Sequence, residues 1–146
     1  MFAPRVSIIV RSKNEKIWII KCLNEIYNQN YKNFEVILVD NNSSDGTIKI
    51  AKKNFPKLKI VKYKSKKFFP GRALNLGIRK SSGNLIAMIS GHCIPKNSKW
   101  LKSLVMNFKN FDVAACYGRQ EPSSISDAED VRDLTYLFGL DKKTQI

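Results

Sequence analysis

The sequence has few acidic residues for its size. Its 146 residues include 12 aspartates and glutamates against 26 lysines and arginines, so the formal net charge is +14. The imbalance lies in residues 1–120, which hold 23 basic and six acidic residues, whereas residues 121–146 carry a net charge of −3. A body so poor in acids predicts an anionic partner: a phosphorylated substrate, a nucleic acid or a membrane surface. The alternative is a solvated, lysine-rich surface.

Cysteines and long hydrophobic runs are also scarce. Cys22, Cys93 and Cys116 are widely spaced and form no Cys-x-x-Cys motif, which fits reduced thiols in the cytosol better than a disulfide framework. No run approaches the length of a membrane-spanning helix, and the first five residues lack the apolar region of a signal peptide. We therefore expect a cytoplasmic protein that meets a membrane, if at all, at its inner face.

Apolar, β-branched runs alternate with helical patterns along the chain. This alternation predicts an α/β fold, in which a mostly parallel sheet carries helices on both faces and binds ligands outside the carboxyl ends of its strands. The apolar stripe of a last, acidic helix is expected to fold back on the sheet or to pair with a partner. We expect strands at residues 6–10, 35–39, 59–63, 85–89 and 113–117, and the last helix at 127–140, ending at Gly139.

The stretch 35–47 carries the first candidate for ligand contact. Its apolar run ends on Asp40, which would place an acid at the carboxyl end of a buried strand. Ser44 and Asp45, further along, are typical caps of a following helix. Ser12 and Glu15 have the spacing of a capping box, which predicts that a helix begins after the first strand.

A glycine interrupts the helical pattern that starts at Pro70. Proline suits a first helical turn, whereas Gly77 inside the pattern costs about 1 kcal/mol relative to alanine. Gly77 therefore predicts a close contact between this helix and the sheet.

Four segments together resemble a known family. Residues 6–15, 35–47 and 71–77 and the strand that ends at Ser90 are similar to the nucleotide-sugar-binding half of an inverting family-2 glycosyltransferase. The resemblance implies a GT-A fold, which is Rossmann-like, over residues 1–120. Residues 121–146 would then be an acidic helical segment at the start of a missing or abbreviated acceptor half.

The resemblance also implies which residues bind substrate. In the family, the tip of the first strand and the acid that ends the second hold the base and ribose of the donor. Arg72 would contact base or phosphate, since arginine can donate to two phosphate oxygens, and Asn75 would support the loop. The residues that match the base and ribose site by position are Arg11, Ser12, Asn14, Glu15, Asp40 and Asn42.

The fourth strand departs from the family. An Asp-x-Asp that holds a divalent metal is usual there, and this chain has Ser90-Gly91-His92. Because Mg²⁺ and Mn²⁺ prefer carboxylate oxygens, these residues predict a poorer metal site than the Asp-x-Asp, with His92 as at most a single ligand. Otherwise His92 is a hydrogen-bonded polar residue, or a protonated one that offsets the charge of the leaving group. Cys93 is expected to be a packed thiol, and the basic loop with Lys64, Lys66 and Lys67 is expected to be solvated or to neutralise phosphate.

The catalytic base has no clear match. In the family it is an Asp on the acceptor half, often in a Glu-Asp pair. The pair Glu129-Asp130 comes early and lies in a helical pattern whose acids suit a solvent-exposed face. Asp130 and His92 are therefore only weak catalytic candidates.

The resemblance implies transfer of a sugar from a nucleoside-diphosphate sugar to a hydroxyl acceptor. The acceptor would be a saccharide or lipid-linked, in cell-surface polysaccharide or glycolipid synthesis. One alternative is a non-catalytic nucleotide-sugar-binding module or a truncated fragment, completed by an oligomer or a partner chain. Another is a basic nucleic-acid-binding protein, although the sequence has no recognition motif and its aromatics fall mostly at core spacing.

Overall fold

A computed structural model describes residues 2–65, 67, 69–122 and 126–138. Within them, four parallel strands form one sheet in the order β3-β2-β1-β4, which confirms the α/β class. No helix in these residues is long and apolar enough to cross a membrane. The elements are β1 (Val6–Ser12), α1 (Ile19–Tyr27), β2 (Phe34–Asp40), α2 (Thr47–Asn54), β3 (Lys59–Lys62), α3 (Pro70–Ile78), β4 (Leu85–Ser90), α4 (Trp100–Val105), a 3₁₀ turn (Met106–Lys109) and α5 (Ala128–Leu137).

Helices cover both faces of the sheet, as the sequence predicts. On one face, Ile8 of β1 and Leu38 of β2 pack in a cluster with buried residues of α1, α2 and α4. On the other face, Ile9 and Ile37 pack against Ala73 of α3. Side chains alternate along each strand, so runs that are apolar at every position fit strands that are buried on both sides.

Gly77 brings α3 against the sheet, and this sequence prediction is confirmed. A Cβ atom at Gly77 would lie 2.4 Å from Cγ2 of Ile9 and 2.8 Å from Cγ2 of Val39. Both neighbours are fully buried, so the helix backbone occupies space that no side chain can share.

The predicted strand at 113–117 is wrong. These residues have no regular structure, and β4 pairs only with β1 in the described part of the chain. An apolar run forms a strand only where its backbone N–H and C=O groups can hydrogen-bond to a neighbouring strand. Here Cys116 instead contacts the carbonyl of Leu104, and Tyr117 packs edge-on against Phe138. Strand β4 is thus an edge of the described sheet, with Met88 58% exposed.

The helix ends differ in detail from their sequence signals. The capping box is wrong, because α1 begins at Ile19 without a side-chain cap and Ser12 still belongs to β1. Ser12 pairs with Asp40 in the ladder between β1 and β2, so it does not stand at the start of a helix. At α2, the N-cap is Gly46, and Asp45 accepts the N–H of Thr47.

The last helix begins as predicted. Asp127 caps α5 by accepting the N–H of Asp130. The sequence predicts that the apolar stripe of this helix either folds back on the sheet or pairs with a partner. None of the residues of α5 is buried, so the stripe does not pack on the sheet. The predicted end at Gly139 lies outside the described residues.

Cysteine reactivity offers a first test of the packing. Burial raises the pKa of Cys22 to about 12, with the charges of Cys93 and Glu15 as smaller causes, whereas Cys93 and Cys116 are half-buried. At about pH 8 roughly one Cys22 in ten thousand would be a thiolate, so iodoacetamide should modify it last of the three. Mass spectrometry of time points measures the order, and the chain in denaturant is the control. Equal rates in the folded chain would contradict the packing of Cys22.

Candidate functional site

Asp40 lies at the carboxyl end of β2 and is the centre of a hydrogen-bond network. Its side chain is buried, with 3% of the residue exposed. Ser12 donates its hydroxyl to Oδ1 at 3.0 Å from the facing position on β1, and the backbone N–H of Ser43 donates to Oδ2 at 2.9 Å. The Ser43 hydroxyl also donates to Oδ1. An ionised carboxylate has about four acceptor positions, and the hydrogen bonds from Ser12 and Ser43 fill three of them among the described residues.

The loops after β1 and β2 are fastened to each other. The N–H of Asn14 donates to the Ser43 hydroxyl at 2.8 Å, and the N–H of Ser44 donates to Oδ1 of Asn14 at 3.0 Å. Asn14 and Asn42 adopt left-handed backbone conformations, with φ of 56° and 53°. Asparagine tolerates this region better than most residues. Asn42 is exposed, so its side chain is accessible to a ligand beside Asp40.

Asp45 makes a second connection between the same loops. The N–H of Lys16 donates to its Oδ2 at 2.9 Å, and Thr47 donates from both its hydroxyl and its N–H to Oδ1. Burial opposes ionisation of Asp45, but these hydrogen bonds outweigh it and lower the pKa of the carboxyl below its ordinary value. Asp45 therefore holds the loop that presents Asp40.

The end of β4 brings Ser90 and His92 to the same edge of the sheet. Arg11 faces Ser90 in the β1–β4 ladder, and the N–H of Gly91 donates to the carbonyl of Arg11 at 2.9 Å. His92 Nδ1 lies 2.7 Å from Oε1 of Glu15, with 49% of the histidine side chain and 15% of the glutamate side chain exposed. The structure thus pairs two residues that are 77 positions apart.

The donor atoms at this edge do not fit a magnesium or manganese site. Ser90 offers a hydroxyl, and the carboxylate of Glu15 is already bonded to His92. The described residues contain no group of three or more His, Cys, Asp or Glu side chains that could hold a metal ion. Hard divalent cations prefer several carboxylate and other oxygen ligands.

Helix α3 borders a separate hollow beside the end of β3. The N–H of Tyr63 donates to the carbonyl of Asp40 at 2.8 Å, which connects the hollow to the network described above. The guanidinium of Arg72 lies 4.7 Å from the ring centre of Phe69 and is exposed. The hollow has a volume of about 280 Å³, and its lining residues are Tyr63, Arg72, Asn75, Leu76 and Arg79.

Three further sequence candidates have different surroundings. Asp130 lies in the exposed first turn of α5, and its N–H belongs to the cap made by Asp127. Cys93 is half-buried, and its N–H donates to the carbonyl of Ser90. Lys64 and Lys67 of the basic loop are exposed, whereas Lys66 lies outside the described residues.

Sequence reasoning missed two residues that hold the site. Ser43 contacts both Asp40 and Asn14, and Asn41 is fully buried and accepts the N–H of Ser65 through Oδ1. A serine three positions after an aspartate is a local signal for the first contact. The run Asn-Asn-Ser-Ser holds no comparable signal for Asn41, because its partner lies in the loop after β3.

Comparisons with known proteins agree on one family. Residues 7–145 match the model of glycosyl transferase family 2. Glycosyltransferase AglE of Haloferax volcanii is 35% identical, over 81% of this chain and 40% of the relative. A dolichyl N-acetyl-alpha-D-glucosaminyl phosphate 3-beta-D-2,3-diacetamido-2,3-dideoxy-beta-D-glucuronosyltransferase of Methanococcus voltae is 31% identical, over 71% of this chain and 34% of the relative. The chain therefore spans less than half the length of these relatives.

Solved structures agree with the sequence relatives. The mannosyltransferase PcManGT from Pyrobaculum calidifontis, in complex with GDP-Man and Mn²⁺, superposes with a TM-score of 0.67 at 26% identity, over 75% of this chain and 34% of that chain. Residues 1–349 of S. aureus TarS give a TM-score of 0.66 at 24% identity, over 83% of this chain and 39% of that chain, a likeness of fold alone.

Proposed function

The chain belongs to glycosyltransferase family 2, with a GT-A fold, and on this premise we propose that its sheet edge binds the nucleoside-diphosphate sugar of a glycosyl transfer reaction. The observation that supports this most directly is Asp40. A buried carboxylate with three hydrogen bonds from the described residues, at the carboxyl end of a central strand, suits one further bond from the N–H of a base or a hydroxyl of a ribose.

The remaining site residues have roles that follow from their positions. Ser12 and Asn14 fix the carboxylate and its loop, and Asn42 is accessible beside them. Arg72, next to the hollow along α3, is placed for base or phosphate, and Asn75 lines the same hollow. Glu15, Ser90 and His92 form the neighbouring part of the edge, beside Arg11.

The proposed reaction is an inverting transfer. A base would deprotonate an acceptor hydroxyl, which attacks the anomeric carbon from the face opposite the nucleotide, and the diphosphate leaves with both electrons of the broken bond. No described residue is assigned as that base, since Asp130 is exposed in the first turn of α5, where its backbone N–H donates to the Asp127 cap. This chain spans less than half the length of its relatives, and we assign the acceptor-binding half to the part that it does not match.

A lipid-linked or saccharide acceptor is the proposed second substrate. The names of two relatives point to lipid carriers: the dolichyl phosphate enzyme of Methanococcus voltae, and a GalNAc(5)-diNAcBac-PP-undecaprenol beta-1,3-glucosyltransferase of Campylobacter jejuni that is 29% identical. The net charge of +17 on residues 1–120 suits an anionic membrane surface near such an acceptor. We place the protein at the cytoplasmic face on this basis.

Calorimetric titration with UDP, GDP and dTDP tests the donor site. We expect one nucleotide to bind at least about tenfold more tightly than the other two, a difference of about 1.4 kcal/mol, because the three nucleotides offer Asp40 different base N–H and sugar hydroxyl groups. Inorganic pyrophosphate at the same ionic strength is the control for the basic surface. Equal and steeply salt-dependent binding of all four anions would contradict a nucleotide site and leave only nonspecific attraction.

A further inference from the structure

We propose that His92, oriented by Glu15, binds the diphosphate of the donor in place of a divalent cation. This inference rests on the proposed function, because it assigns the phosphate end of a site whose base end is Asp40. It departs from the metal-binding acids that the family resemblance implies at this position.

The order of the strands places Glu15 and His92 at the end of the proposed site where the phosphates would lie. Asp40 on β2 faces Ser12 on β1, and Arg11 on β1 faces Ser90 on β4. Two strand spacings, about 10 Å in all, therefore separate the end of β2 from the end of β4. An extended nucleotide bound with its base at Asp40 would direct its phosphates along this edge, toward the loop that carries His92.

Glu15 is held firmly enough to orient the histidine. Its N–H donates to the Thr47 hydroxyl at 2.9 Å, and its carbonyl accepts the N–H groups of Trp18 and Ile19 at 3.0 and 2.8 Å. With this backbone fixed, the mostly buried carboxylate sets the direction of the ring through Nδ1. A second residue that orients an imidazole in this way reduces the entropy lost when the ring binds a ligand.

The ring then presents its other nitrogen to the ligand. A doubly protonated histidine carries an N–H on each nitrogen, so Nδ1 donates to Glu15 while Nε2 donates to a phosphate oxygen. Half of the His92 side chain is exposed, which leaves room for that contact. In this role the Nε2–H group takes the position beside the diphosphate that a metal ion has in a carboxylate site.

The experiment compares nucleotide binding with and without metal. The wild-type chain is titrated with UDP, GDP and dTDP, and with the matching nucleosides, in excess EDTA and then in saturating Mn²⁺. We expect the preferred diphosphate to bind equally well in both buffers. His92→Gln should weaken the diphosphate about tenfold, the loss of one charge-assisted hydrogen bond, and leave the nucleoside unchanged.

Two other substitutions and one control separate charge from shape. His92→Lys should restore most of the diphosphate affinity, because it restores a cation at an exposed position. His92→Asp should make binding depend on Mn²⁺, because it places a second carboxylate next to Glu15. Lys99→Gln removes a positive charge from an exposed position outside the site and should leave all affinities unchanged. Thermal denaturation of each variant checks that the fold is retained.

Three results would overturn the inference. Loss of wild-type diphosphate binding in EDTA would show that a metal is required. Equal weakening of diphosphate and nucleoside in His92→Gln would show a structural role only. Failure of His92→Lys to recover affinity would show that the charge is not what matters. If no nucleotide binds in either buffer, the proposed function fails together with this inference, whereas the first three results leave it intact.

Discussion

Asp40→Ala is expected to lose at least about 100-fold in affinity for the preferred nucleotide, or about 2.7 kcal/mol. The variant removes the acceptor of the proposed charge-assisted hydrogen bond to the ligand, which is worth about 1.5–3 kcal/mol. It also leaves the hydroxyl of Ser12 and the N–H of Ser43 without their acceptor, so the loop that shapes the site loses its anchor. Calorimetry with UDP, GDP and dTDP measures the loss.

Asp45→Ala is the matched control. It removes an acid from the same loop and breaks the contacts with Lys16 and Thr47, but Asp45 has no proposed contact with the ligand. Affinity should fall by less than about fivefold, because the lost hydrogen bonds lie within the loop and the contacts of Ser12 and Ser43 with Asp40 remain. If both variants lose affinity equally, loop order and not the Asp40 carboxylate determines binding.

Gly77→Ala is expected to destabilise the fold by about 2 kcal/mol. Alanine favours a helix by up to about 1 kcal/mol over glycine, so the clash must exceed this gain. The added Cβ would lie 2.4 Å from Cγ2 of Ile9 and 2.8 Å from Cγ2 of Val39, which are buried on central strands and cannot retreat. Helix α3 must therefore move outward and lose contact with the sheet.

Urea denaturation measures this effect as a lower midpoint with an unchanged slope. Gly71→Ala is the control on the same helix, because a Cβ atom there would meet nothing within 4 Å. It should leave stability unchanged or raise it slightly. A Gly77→Ala variant as stable as the Gly71→Ala variant would contradict the close contact between α3 and the sheet.

Periodicity in the sequence predicts the parts of the fold that depend on local pattern. The β-branched runs at β1 and β2 are buried on both faces, and the second run ends on Asp40. Gly77 was informative because its cost in a helix needs a packing reason. These signals are enough to place a polar site at the carboxyl ends of the strands.

Periodicity does not predict which residues that are distant in the sequence come into contact. The run at 113–117 has the composition of a strand, but composition does not show whether a neighbouring strand has unpaired backbone groups with which it could pair. Ser12 and Glu15 have capping-box spacing, yet each bonds to a distant partner: Asp40 and His92. Those contacts depend on strand register, which a single sequence does not reveal.

Strand β4 differs from its neighbours in a way that matters for the ligand. It is one of the two edges of the described sheet, only Ser90 in it is buried, and β1 and β2 are paired on both sides. Edge strands open locally at lower free energy than central ones, so amide exchange should be slowest around Asp40 and faster toward His92. The base would therefore bind at the rigid ends of the central strands β1 and β2. The phosphates and the transferred sugar would bind beside β4, where the backbone can adjust most easily when the bond between them breaks.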